Sequence, residues 1–74
     1  KFDILLDFLK GHGKLRILNG GCGSGELCIN LAAAGHSVVG IDPAPDYIEM
    51  AEKNLSPFPD LDCRFEVSTI EDYR

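Results

Sequence analysis

Seventy-four residues, 45% hydrophobic and 26% charged, set a ceiling of one small domain or part of one, with a core that is compact or completed elsewhere. A net charge of −5, with seven basic residues scattered along the chain, gives no footprint for a phosphate backbone and argues against nucleic acid as a partner. Cys22, Cys28 and Cys63 are odd in number and hold no Cys-x-x-Cys pair, so they imply neither a disulfide framework nor a zinc site and fit a reducing, cytoplasmic setting. No apolar run reaches membrane-spanning length, and Lys1-Phe2-Asp3 has no signal-peptide character. Lys1 in place of an initiator Met leads us to expect part of a longer polypeptide.

Phe2, Leu5, Leu6 and Leu9 recur at helical spacing ahead of Gly11 and Gly13, which predicts a leading amphipathic helix over residues 1–11. Leu15-Arg16-Ile17-Leu18 then enters a glycine cluster, the pattern of a buried strand feeding a tight loop. Ser24 is placed to cap a helix over residues 26–34, and Gly35 to end it. Val38-Val39-Gly40-Ile41 is a second strand that carries the Asp42 carboxylate at its C-terminal tip. Pro43 and Pro45 break the chain, and Pro45 suits the first turn of a second helix with Ile48, Ala51 and Leu55 on its buried side. Pro57 and Pro59 stop that helix, a third strand follows around residues 63–67, and residues 68–72 form the loop beyond it. Strands alternating with helices predict a parallel α/β sheet with right-handed crossovers and strand order 3-2-1 over residues 15–74. The first of these strands would keep one bare edge, open to a second chain as in a dimer or to the remainder of its own chain.

The informative stretch is Asn19-Gly20-Gly21-Cys22-Gly23-Ser24-Gly25, set between a strand and a helix N-terminus. Glycines there let the backbone turn sharply and let a ligand approach without a Cβ in the way. A dinucleotide fingerprint counted from Gly21 and Gly23 would need a third glycine where Glu26 stands, and a P-loop would need Lys after Gly25. Both phosphate-centred readings lose on spacing. Asp42 sits at the neighbouring strand tip, on the same edge of the sheet, and can accept hydrogen bonds from a vicinal diol. Ser24 reads as a cap, Tyr47 and Met50 as packing or surface residues, His12 and His36 as solvated turn histidines without a second metal ligand, and Glu71-Asp72 as a solvated acidic pair.

Ile17-Leu18-Asn19-Gly20-Gly21-Cys22-Gly23-Ser24-Gly25 resembles the first motif of class I, Rossmann-like methyltransferases, an acidic residue followed by x-Gly-x-Gly-x-Gly. Val39-Gly40-Ile41-Asp42-Pro43 resembles the second strand of that family with its acidic tip, Ile48-Glu49-Met50-Ala51 the helix after it, and Phe65 to Asp72 the segment that passes an adenine. The resemblance implies binding of S-adenosylmethionine, with S-adenosylhomocysteine as product and a small-molecule methyl acceptor, and shades toward quinone-pathway O-methyltransferases. It implies cofactor contacts at Asn19, Gly21, Cys22, Gly23, Asp42, Pro43, Thr69 and Ile70. The chain departs from the family's pattern in three places. Asn19 replaces the usual acid, and Thr69 stands where the family often has an acidic residue near the adenine amino group. The family's acceptor-side and catalytic residues have no counterpart in these residues, so the sequence assigns no catalytic residue. Two further readings stay open here, a non-catalytic cofactor-binding or scaffold module and an NAD-dependent oxidoreductase.

Overall fold

The computed structural model describes the backbone of residues 3–8 and the backbone and side chains of residues 14–73. The element order is β1 (Asp3–Phe8), β2 (Leu15–Gly20), α1 (Glu26–Ala33), β3 (Ser37–Asp42), α2 (Pro45–Leu55) and β4 (Cys63–Val67). β2, β3 and β4 are parallel neighbours, so the three strands expected from the sequence lie in the expected order. The alternation that builds them is simple. Each strand is short, β2 and β3 run into glycine or proline breaks, and each connecting helix returns the chain to the same end of the sheet.

The opening segment departs from expectation. Residues 3–8 form a strand, not part of a leading helix over residues 1–11, and β1 pairs antiparallel with β2, from Asp3 opposite Gly20 to Phe8 opposite Leu15. Ile4-Leu5-Leu6 is a short apolar run that fits a strand period as well as a helical one. The outer side of β2 offers a row of backbone donors and acceptors, whereas a lone helix of this length is marginal in water. The same pairing corrects a second expectation, because the edge of β2 that was to remain bare is occupied by β1. Residues 1–2 and 9–11 of the expected helix, and His12, lie outside the described residues.

Both helices pack against β3 and β4 and against each other, forming one core on one face of the sheet. Ile17, Val38 and Phe65 from the strands meet Cys28 and Ala32 from α1 and Ile48 and Ala51 from α2. Leu55 is half-buried beside them, as the helical spacing predicts. Phe65 is the wedge of this core. A Cβ added at Gly25 would come within 2.7 Å of its ring, and one added at Gly40 would do the same. Both glycines therefore make room for one aromatic side chain, whose burial is worth roughly 1.5–3 kcal/mol.

α2 starts with Pro45 in its first turn, where the missing N–H costs nothing. α1 ends one residue earlier than expected, and Gly35 closes it by donating its N–H to the Ala32 carbonyl at 3.0 Å. His36 is not merely a solvated turn residue. Its Nδ1 accepts the Leu15 N–H at 3.1 Å, which ties the start of β2 to the turn before β3. Among the described residues no helix is long and apolar enough to cross a membrane.

Candidate functional site

The strand ends at the C-terminal edge of the sheet are held together by backbone hydrogen bonds. As the chain leaves β2, the Cys22 N–H donates to the Ile41 carbonyl at 2.9 Å, so the loop doubles back over the end of β3. Gly25 donates its N–H to the Cys22 carbonyl at 3.1 Å and enters α1 with φ of +86°, a conformation that L side chains rarely adopt. The Ser68 N–H donates to the Asp42 carbonyl at 3.1 Å, which brings the exit from β4 to the same edge.

Asp42 organises this edge. It is 8% exposed, and one carboxylate oxygen accepts the Gly23 N–H at 3.1 Å while the other accepts the Ala44 N–H at 2.9 Å. One side chain thus fixes both the glycine loop and the start of α2. Hydrogen bonds to an ionised acceptor are each worth about 1.5–3 kcal/mol. A carboxylate has about four lone-pair positions, so two remain for a ligand's hydroxyl donors.

A cleft of about 400 Å³ opens above these atoms, lined by Gly21, Cys22, Gly23, Ser24, Glu26, Asp42 and Tyr47. The lining holds two carboxylates and no Lys, Arg or His. The Ser24 hydroxyl donates to the Glu26 carboxylate and, with the backbone at Glu26, holds that carboxyl below its usual range. The cleft therefore favours a cationic ligand and repels phosphates, while bare backbone at Gly21 and Gly23 lets the ligand approach closely.

Four residues expected from the sequence, Gly21, Cys22, Gly23 and Asp42, meet in this cleft. The other four do not line it. Asn19 is fully buried on the helix side of β2, where its Nδ2 donates to the Cys28 sulfur at 3.3 Å, and its Oδ1 has no partner among the described residues. Pro43 is exposed beside Asp42. The Thr69 hydroxyl accepts the Asp72 N–H at 3.2 Å in a turn, and Ile70 is 37% exposed on that turn. Ser24 does not cap α1. Gly25 holds the cap position without a side-chain bond, because the Ser24 hydroxyl goes to Glu26.

Ser24, Glu26 and Tyr47 are the cleft residues that sequence reasoning missed as contacts. Glu26 and Tyr47 both stand in the first turn of a helix that follows a strand of the sheet, and that position was the available signal. Cys22 and Cys28 are both buried in the core cluster; the Cys22 thiol donates to the Gly23 carbonyl at 3.7 Å. The neighbouring Cys22 and the Asn19 amide hold Cys28 down at about 7 against burial, while Cys28 and burial push Cys22 far up. Burial lifts Cys63 to about 11.

The chain is similar to several known methyltransferases. The ubiquinone biosynthesis O-methyltransferase of Methylocella silvestris is 44% identical over 57 residues, covering 77% of this chain and 22% of its own length. The mitochondrial ubiquinone biosynthesis O-methyltransferase of Homo sapiens is 44% identical over 70 residues, covering 86% of this chain and 19% of its own length. The 2-heptyl-1-hydroxyquinolin-4(1H)-one methyltransferase of Mycobacteroides abscessus is 32% identical over 69 residues, covering 93% of this chain and 30% of its own length. The chain thus spans less than a third of each of these relatives. Residues 17–74, from the middle of β2 through the turn after β4, match the family described as the methyltransferase domain, and the chain belongs to that family.

Proposed function

We propose that this chain is the cofactor-binding part of an S-adenosylmethionine-dependent methyltransferase that acts on a hydroxyl of a small molecule. The observation that carries the reading is the Gly23 N–H on the Asp42 carboxylate, inside a cleft that holds two acidic side chains and no basic one. S-adenosylmethionine has a sulfonium, an ammonium and a ribose diol but no phosphate, and the residues present fit those groups. Asp42 would take the ribose hydroxyls on its two free lone-pair positions, Gly21 and Gly23 would admit the methionyl part against bare backbone, and Glu26 would lie toward its positive charge. When bound, the cofactor supplies an activated methyl group. The chain's own contribution is to bind and orient it and to keep the loop fixed while it does so. A hydroxyl acceptor is supported by the relatives whose names are O-methyltransferases.

Calorimetry with S-adenosylhomocysteine and, in parallel, NAD tests the reading. S-adenosylhomocysteine is expected to bind, and Asp42→Ala is expected to weaken it at least about tenfold. Binding of NAD alone would overturn it. A second reading, a cofactor-binding module without turnover, is favoured by one observation: the Asn19 amide is neutral and turned to Cys28, so it brings no charge to the cleft. Radiolabelled S-adenosylmethionine offered to the protein with a panel of hydroxylated aromatic acceptors separates the two, since only an enzyme transfers label.

A further inference from the structure

We infer that Asn54 is a positioning residue for the ligand cleft: from the last turn of α2 its amide holds the glycine loop and sets the spacing between that loop and Asp42. What this does for a ligand rests on the function proposed above; the tie between helix and loop does not.

Three consecutive loop residues are each tied to a different part of the fold. The Cys22 N–H donates to the Ile41 carbonyl at the end of β3 at 2.9 Å, and the Gly23 N–H donates to the Asp42 carboxylate at 3.1 Å. The third tie comes from thirty residues along the chain, where the Asn54 Nδ2 donates to the Ser24 carbonyl at 3.0 Å. It holds the loop against α2, and it ends on a residue that lines the cleft. α2 is therefore bound to the site at both ends. Its start is fixed to Asp42 through the Ala44 N–H at 2.9 Å, and its last turn reaches the loop through Asn54.

The helix does not itself call for an asparagine at this position. Asn is among the poorer helix formers, because its side chain competes for backbone groups. Nor does Asn54 cap α2: the Ser56 N–H donates to the Glu52 carbonyl at 3.0 Å, and the Ser56 hydroxyl donates to the Lys53 carbonyl at 2.8 Å. The residue is exposed, so core packing does not account for it either. What its amide crosses is a seam already closed by packing. A Cβ added at Gly25 would come within 2.9 Å of the Ala51 side chain, one turn before Asn54. Loop and helix are in contact there, so forming the bond orders little more than one side chain.

The effect on the cleft passes through Ser24. Its carbonyl is held by α2, its hydroxyl donates to Glu26, and its neighbour Gly23 is bound to Asp42. Gly23 has a φ of +59°, and a Cβ added there would meet nothing within 4 Å. This part of the loop is therefore restrained by hydrogen bonds and not by packing, in a glycine-rich stretch with high intrinsic backbone freedom. Releasing the Ser24 carbonyl lets residues 23–25 rock about the bond to Asp42. A ligand that spans the bare backbone and the carboxylate must then order the loop as it binds, which weakens affinity.

Amide hydrogen exchange in the ligand-free protein reads the tie directly. Asn54→Ala should speed exchange of the Gly23 and Gly25 N–H groups at least about threefold and leave the Val38 N–H, bonded to the Asp62 carbonyl at the far end of β3, unchanged. In calorimetry Asn54→Ala should bind S-adenosylhomocysteine about threefold to tenfold more weakly, and Asn54→Gln, which keeps the amide donor, should stay within about twofold of the unsubstituted protein. Asn54→Asp keeps the shape without the N–H and should lose at least as much as Asn54→Ala, which provides a second variant should Asn54→Ala fail to fold. Unchanged exchange at Gly23, equal acceleration at Gly23 and Val38, undiminished affinity in Asn54→Ala and Asn54→Asp, or Asn54→Gln as weak as Asn54→Ala would each overturn the inference. If the unsubstituted protein fails to bind S-adenosylhomocysteine, the proposed function falls, while the exchange measurement still decides whether Asn54 holds the loop.

Discussion

Among the described residues two clefts can be compared, and the smaller is the one to which we assign the ligand. The larger, about 550 Å³, lies toward the N-terminal halves of the parallel strands and is bordered by Arg16, Leu18, Val39, Asp62, Arg64 and Tyr73 among others. Its charged groups are tied to one another along the surface: Arg64 donates to the Tyr73 hydroxyl at 2.9 Å and lies 3.3 Å from Glu66. The smaller, about 400 Å³, sits where β2 and β3 end. There a nearly buried carboxylate is bonded to two backbone N–H groups, and the chain approaches without side chains at Gly21 and Gly23. Volume alone would select the opposite end of the strands. In a parallel sheet the strand tips deliver loops and helix starts to one edge, and it is this convergence that builds a site.

The contrast can be broken or sharpened by substitution, and the largest effect is expected at Gly25. Gly25→Ala places a Cβ 2.7 Å from the Phe65 ring and 2.9 Å from Ala51 at a φ of +86°. Denaturant unfolding should show a loss on the order of 2–4 kcal/mol. Gly35→Ala, at the opposite end of the sheet, meets no atom within 4 Å and strains only the backbone at φ +103°, so it should cost about 1 kcal/mol. Equal costs at the two positions would remove Phe65 from its role as the wedge.

The next effect is expected at Asp42. Asp42→Asn keeps the shape but replaces one of two acceptor oxygens with a donor, which opposes either the Gly23 or the Ala44 N–H. Affinity for S-adenosylhomocysteine should drop at least about tenfold by calorimetry, with a loss of about 1–3 kcal/mol in unfolding free energy.

A smaller effect is read by titration. The neighbouring Cys22 and the Asn19 amide lower Cys28 from the usual 9.0 to about 7, and ultraviolet thiolate absorbance should show a midpoint there. Because the folded value lies below the unfolded one, ionised Cys28 adds stability that is complete above pH 9 and lost as pH falls through about 7. The raised Cys22 acts in the opposite sense, its contribution fading as pH rises above 9. The midpoint, not the melting temperature, is therefore the clean readout. Cys22→Ala should move it upward, and a native midpoint near 9 would refute the pairing. The smallest effect is expected in the larger cleft, where Arg64→Ala removes an exposed contact pair and should leave S-adenosylhomocysteine affinity unchanged.

What the sequence made legible was local. The run into Asn19, the crowded glycines, the carboxylate before Pro43 and the proline at the head of α2 each announce their structure within a few residues, and each is found where expected. The strand at Asp3–Phe8 was not legible, because six residues fit two periods and the deciding factor, the unpaired side of β2, lies beyond the segment itself. Asn19 was placed among the ligand contacts on its position in the motif, whereas its side chain turns to a sulfur nine residues away in α1. Glu26 and Tyr47 enter the cleft only because two separate helices begin at the same edge. Local chemistry could be read, and side-chain direction across elements could not.

Phe65 has one more consequence, for synthesis. The residue that props both Gly25 and Gly40 into position is encoded well after either of them. A chain emerging from the ribosome can close its first loop and both helices and still lack the ring on which they rest. The shared core is then completed only when β4 pairs with β3 and its aromatic side chain packs against both glycines.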